Sequence, residues 1–240
     1  MKIEVWSDFV CPFCYIGKRH LEAALSDLNG NEQSPCEVIY KSFELDPNAA
    51  KNSGQTIHEK LAEKYGRTFE EAKEMTKNME TQASEAGLDF HFDTMIPTNT
   101  FDAHRAAKLA ESKGMGKEAA ERFFSAVFKD SVDISDHDSL IQAAAEIGVE
   151  PQEMEDLLNG TSFSEVVRSE EAEAQQLGVQ GVPFFVINRK YAISGAQPIE
   201  VFKNALTKVL EEEQQSPAFE DLSETHNTAC TDDGCEVPKD

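Results

Sequence analysis

One stretch, Val5-Trp6-Ser7-Asp8-Phe9-Val10-Cys11-Pro12-Phe13-Cys14-Tyr15, constrains this chain more than any other. Just before and within it, Ile3-Glu4-Val5-Trp6 alternates as a half-buried strand does. The alternation breaks at Ser7-Asp8. A helical pattern follows, with Ile16, Leu21, Ala24, Leu25 and Leu28 recurring on one face up to Asn29-Gly30. Strand, turn and then Cys-x-x-Cys opening a helix puts Cys11 beside unpaired N–H groups and the positive end of the helix dipole, where a thiolate is favoured. Pro12 suits the first helical turn, which needs no backbone donor. Cys14 lies one turn along, placed to close a small disulfide with Cys11. The segment reads as a redox dithiol. Half of a zinc site is the competing reading, but a closed structural site needs four ligands. No second Cys-x-x-Cys and no closely spaced histidine pair follows within roughly a hundred residues.

The rest of the chain narrows the setting. At 240 residues it can bury a full core, as one domain or one domain with an insertion. A formal net charge of −23, from 45 acidic and 22 basic residues, argues against nucleic acid or an anionic membrane as a partner. Uncharged apolar runs are too short to span a bilayer. No secretory signal is visible at the N-terminus, so a cytoplasmic location is expected. Five cysteines cannot all pair within one chain, and in a reducing compartment exposed pairs are more often catalytic than structural. Cys36, alone before a strand, reads as a small buried or half-buried thiol.

In order, Val38 to Phe43 reads as a second strand. Thr56-Ile57-His58-Glu59 and Thr68-Phe69-Glu70-Glu71 both fit capping boxes. Ala72, Met75, Met79, Ala83 and Ala86 then recur at helical spacing; core packing is the expected reason for the methionines, a soft binding surface the other. Helical patterns continue through Phe101–Gly114, Phe123–Phe128, Leu140–Ile147, a short segment opened by Pro151, and Phe163–Leu177. Val182-Pro183-Phe184-Phe185-Val186-Ile187 is strand-like, Asn188-Arg189-Lys190 turns, and Tyr191–Ser194 pairs back. A last helix starts at Gln197-Pro198. The layout is β-α-β, a helical insertion, then α-β-β-α: an α/β, thioredoxin-like fold with an inserted α-helical domain. The expected division is residues 1–45 and 160–213 for the thioredoxin-like domain and 46–159 for the helical one. Residues 214–240 form an acidic tail carrying a Cys230-x4-Cys235 pair.

Asp8 to Gly17 resembles the active-site segment of the DsbA-like thioredoxin superfamily, especially its FrnE-type cytosolic branch. The resemblance recurs at Asn99-Thr100-Phe101-Asp102-Ala103-His104-Arg105 and at Gly178 to Phe185, so it covers about residues 1 to 213. It implies a thiol–disulfide oxidoreductase or isomerase acting on protein or small thiol and disulfide substrates, with no cofactor and no metal. Cys11 would be the attacking, exposed thiol and Cys14 the shielded, resolving one. Pro12 and Phe13 would touch substrate. Val182-Pro183 would be a cis peptide facing the dithiol, with Val182 pairing its backbone with substrate. DsbA has a histidine at the place of Phe13; phenylalanine supplies no charge, so a milder redox potential is expected. Lys18, Arg19 and His20 lie within two turns and either compensate for that or form a solvated face. Asn99, Thr100 and His104 either line the cleft or serve the structure.

Two other classes stay open. The hydroxychromene-carboxylate isomerases and kappa-class glutathione transferases resemble the same fold but carry serine where this chain has Cys11. A zinc protein would assemble Cys11, Cys14, Cys230 and Cys235, with His226 a further candidate. The tail pair itself is either an accessory disulfide or a secondary redox pair exchanging electrons with Cys11 and Cys14.

Overall fold

Alternation in the first strand decides how the sheet is covered. A computed structural model of the protein describes residues 1–29, 36–51, 53–215, 230–231 and 234–235. In β1 (Lys2–Ser7), Ile3 and Val5 point to one face and Trp6 to the other. Ile3 and Val5 pack with Phe185, Ile187, Phe202 and Leu206 under α1 (Pro12–Asn29) and α9 (Ile199–Gln215). Trp6 packs on Ala174 of α8 (Ser164–Gln176) and on Val186. Its indole N–H donates to the Glu170 carbonyl at 2.9 Å, which satisfies the one polar atom of an otherwise apolar side chain.

The sheet order is β2-β1-β3-β4. β2 (Glu37–Ser42) runs parallel to β1, while β3 (Phe184–Ile187) is antiparallel to β1 and to β4 (Tyr191–Ser194). The β3–β4 turn places Asn188 and Arg189 at positive φ, 49° and 55°, the left-handed twist that a tight hairpin needs. Arg189 holds that conformation while pairing with Glu4, which is buried, and with Glu173.

Between β2 and β3 lie α2 (Ile57–Tyr65), α3 (Phe69–Glu85), α4 (Phe101–Ser112), α5 (Gly116–Phe128), α6 (His137–Ala145), α7 (Pro151–Asn159) and α8. Both expected capping boxes form: Thr56 with Glu59 and Thr68 with Glu71 exchange side-chain and backbone bonds at the starts of α2 and α3. The last helix begins at Ile199 rather than Gln197, because Gln197 is spent on the turn, its amide donating to the Ser194 carbonyl at 2.8 Å. The largest apolar cluster joins these helices to the start of α1, with Tyr15 stacked on Phe124 at 5.0 Å and Phe90 on Phe128 at 4.5 Å. Buried Lys108 of α4 reaches the sheet, donating to the Tyr40 carbonyl at 2.6 Å and to Glu170 at 2.8 Å. A lone buried ammonium would be costly; this one is paired and hydrogen-bonded.

Among the described residues no helix is long and apolar enough to cross a membrane. Most of the tail lies outside them. Cys230–Thr231 and Gly234–Cys235 form a short antiparallel ladder with Cys230 opposite Cys235. The side chains of that pair, and His226, lie outside the described residues, as do both readings of the tail pair and the four-cysteine zinc reading.

Candidate active site

Helix α1 begins at Pro12, so Cys11 sits at its N-terminal edge, as the residue pattern requires. The turn before it is closed by two backbone bonds: Cys11 N–H donates to the Asp8 carbonyl and Cys14 N–H to the Cys11 carbonyl, both at 3.0 Å. Cys11 and Cys14 are both free thiols here. The Cys11 thiol donates to the Val182 carbonyl at 3.6 Å, and the Val182–Pro183 peptide is cis. Pro183 is buried behind Val182, its ring against Gly17 of α1.

The expected exposure of Cys11 is corrected: the residue is only 4% exposed. A helix terminus is open by itself, but here α2, α3 and the 92–98 segment wall it in. Their cleft, about 880 Å³, has Val10, Cys11, Pro12, Phe13 and Val182 along one side. Cys14, 2% exposed, does not line it. Burial pushes the Cys14 thiol well above its ordinary range, and the neighbouring Cys11 sulfur pushes it further in the same direction. Phe13 is exposed at the cleft, and Ile57, Tyr65, Met75 and Met79 face it from the helices. The methionines are therefore not simply core: Met75 and Met79 are half-buried and line the cleft, while Ala72 and Ala83 from the same helix are the fully buried positions.

Lys18 and Arg19 do not form a solvated face. Lys18 is 2% exposed, and both residues converge on Glu121 of α5, joined there by the Tyr15 hydroxyl at 2.6 Å. These donors hold the Glu121 carboxyl down at about 2 even though its partial burial acts the other way. His20 is bonded to the Gln197 carbonyl at 2.8 Å. Asn99 Oδ1 accepts from Phe101 N–H at 3.0 Å, one residue before the Thr100 N-cap of α4, and Asn99, Thr100 and His104 all lie outside the cleft lining. His104 instead packs on the turn before the dithiol, its ring 4.9 Å from Phe9 and its Nε2 3.5 Å from Asp8 Oδ1. Asp8 had no assigned role in the sequence, and a single acidic residue in a turn gives no signal that it will be buried.

A four-stranded sheet flanked by helices, with Cys-x-x-Cys at a helix start opposite a cis-proline loop, defines a thioredoxin-type protein. The chain belongs to the DSBA-like thioredoxin domain family, whose profile matches residues 2–207. It has the DsbA-like thioredoxin fold, and the family is one of thiol–disulfide oxidoreductases. A probable DsbA oxidoreductase from Streptomyces coelicolor is 36% identical, with a TM-score of 0.83 and full coverage of both chains. An uncharacterized protein of Bacillus subtilis, YwbO, is 26% identical over 207 residues, covering 85% of this chain and 95% of its own. A 2-hydroxychromene-2-carboxylate isomerase shares the fold at 14% identity and a TM-score of 0.65, with 90% of this chain and all of that one covered.

Proposed function

We propose that this protein exchanges disulfides with protein or small thiol substrates through Cys11 and Cys14, as a cytoplasmic oxidoreductase or isomerase of the FrnE type. One observation carries the reading: Cys11 faces a large cleft, while Cys14 stands one turn behind it, out of the cleft and held protonated by burial. Cys11 attacks a substrate disulfide and forms a mixed disulfide. Cys14 then attacks the Cys11 sulfur and releases the second substrate thiol, leaving Cys11–Cys14 oxidised. The reverse sequence oxidises a substrate dithiol. The apolar lining, Phe13, Ile57, Tyr65 and Met75 among it, favours polypeptide flanking a cystine with apolar side chains, and the polarizable methionines adapt to varied partners. Val182, whose carbonyl already meets the Cys11 thiol, is the backbone that pairs with such a peptide. The FrnE part of the reading rests on motif resemblance, and the cytoplasmic part on that resemblance together with the N-terminal sequence, in which no secretory signal is visible.

Insulin reduction and refolding of a scrambled disulfide protein test this directly. Wild type should turn over in both, Cys14→Ser should accumulate mixed disulfides with clients, and Cys11→Ser should do neither. Retained turnover in Cys11→Ser would sink the assignment.

A further inference from the structure

Helix α3 turns an unusual strip of side chains toward the cleft. Met75, Asn78, Met79 and Gln82 line it, at the i, i+3, i+4 and i+7 spacing of one helical face. The rest of α3 is strongly charged, yet Lys73, Glu74, Lys77 and Glu80, interleaved with the strip, do not line the cleft. This wall therefore consists of two thioethers and two carboxamides, uncharged throughout. Met75 and Met79 are half-buried, Asn78 and Gln82 exposed. Among the described residues neither carboxamide has a hydrogen-bond partner, although each carries donors and an acceptor. The charge on the cleft comes from other segments, and it balances: Asp46 and Glu63 stand against Lys60 and Lys64, with Lys60 3.7 Å from Asp46. In a chain of net charge −23 such a site gives no net attraction to a small anionic disulfide. Its volume, about 880 Å³, lies near the upper end of the ~300–1,000 Å³ range of small-molecule sites, more than a small thiol fills.

Spacing decides what the two amides can read. Positions 78 and 82 are one turn apart, a rise of about 6 Å along the helix. An extended chain presents the N–H and C=O of alternate residues to one edge every ~6.6–6.8 Å. A carboxamide can accept from such an N–H and donate to the C=O of the same residue. The extra methylene of Gln82 takes up the difference between the two repeats. Met75 and Met79, on the same face, adapt to whatever side chains the peptide carries. We propose that Asn78 and Gln82 determine specificity by reading the backbone of an extended polypeptide that flanks the cystine, each carboxamide pairing with one of two alternate residues. The inference rests on the dithiol reading above and adds the substrate class to it: an extended, uncharged stretch of polypeptide, rather than a small thiol or disulfide. Side-chain sequence then matters little beyond the absence of charge, because the donors and acceptors being read belong to the main chain.

The experiment compares amide with ester. In full-length reduced protein with Cys36, Cys230 and Cys235 replaced by serine, Cys11 attacks a short apolar peptide whose central cysteine carries a thiopyridyl group. Released thiopyridone reads the second-order rate constant of that attack. Peptide bonds flanking the cysteine are replaced one at a time by esters, which removes one N–H donor without adding bulk. In this parent protein, esters at two positions two residues apart should lower the rate constant about three- to tenfold, the worth of one neutral hydrogen bond. Asn78→Leu should abolish the sensitivity at one of these positions and Gln82→Met at the other. Leucine and methionine keep the helix propensity, and any apolar gain acts on amide and ester peptides alike, so the ratio between them is the reading. With 4,4′-dithiodipyridine, which has no backbone to read, parent and variants should react at the same rate. Positions read by Val182 stay sensitive in every protein. If the parent shows no sensitive position, or none loses its sensitivity in either variant, the proposal is overturned. Thiopyridone released from the peptide by Cys11→Ser as fast as by the parent refutes the dithiol reading instead.

Discussion

Gly17→Ala measures how tightly the dithiol helix is seated on the proline loop. Gly17 lies inside α1, and nothing in its backbone demands glycine. By helix propensity alone, alanine should stabilise by about 1 kcal/mol. Space decides otherwise. A Cβ at this position would stand 3.1 Å from Phe185 Cζ and 3.1 Å from Pro183 Cγ, with the Ala196 Cα at 3.5 Å. Phe185 is fully buried and wedged edge-on against Phe202 at 4.8 Å, and the Pro183 ring can yield only through a change of pucker. Overpacking of this kind costs about 1–3 kcal/mol. Set against the propensity gain, the net loss is about 1 kcal/mol, or a fall of roughly 2–4 °C in melting temperature for a chain of this size. The relief must come from α1 and the 182–183 loop moving apart, which widens the gap between Cys11 and the Val182 carbonyl, now 3.6 Å. Calorimetry reads the first effect, and the rate of Cys11 attack on a small neutral disulfide reads the second. A variant that melts at or above the wild-type temperature would refute the reasoning, since the neighbouring rings would then be free to give way.

Two further outcomes follow from charge and from the cleft. The Glu121 carboxyl is held near 2 in the folded protein against an ordinary 4.5, so it contributes stability above pH 4.5 that is lost as pH falls towards 2. Its side chain is 38% exposed, so solvent screening trims the contribution to roughly 1–2 kcal/mol. Glu121→Gln should be less stable than wild type by that amount at pH 7 and equal to it near pH 2 in urea melts; a difference that persists unchanged into acid refutes the ion-pair account. Met75→Asp places a charge on the cleft wall without touching Cys11, and should raise KM for a peptide disulfide flanked by apolar residues by about 5- to 30-fold, the equivalent of one or two kcal/mol. Its rate with 2-hydroxyethyl disulfide should be unchanged, and an unchanged peptide KM would show that substrate does not lie on α3.

Local signals in this chain are strong and were legible without coordinates. Period-two alternation marks β1, Thr-x-x-Glu marks the starts of α2 and α3, and Asn188-Arg189 marks the hairpin, because each depends on residues within a few positions of one another. Cys-Pro-Phe-Cys at a strand-to-helix turn places the candidate dithiol for the same reason. The environment of that dithiol is another matter. Periodicity put Met75 and Met79 on one helical face, but only the approach of α2 and the 92–98 segment turned that face into a cleft wall. Lys18 looked like a surface lysine until α5 brought Glu121 to it across 103 positions. Asp8, just after β1, and His104, in α4, meet only in the folded chain, and neither sequence neighbourhood announces the other. Burial of a charge, and the pairing that makes it tolerable, is a property of what packs over a residue; in this fold those partners arrive from helices far along the chain, so only the tertiary structure could decide them.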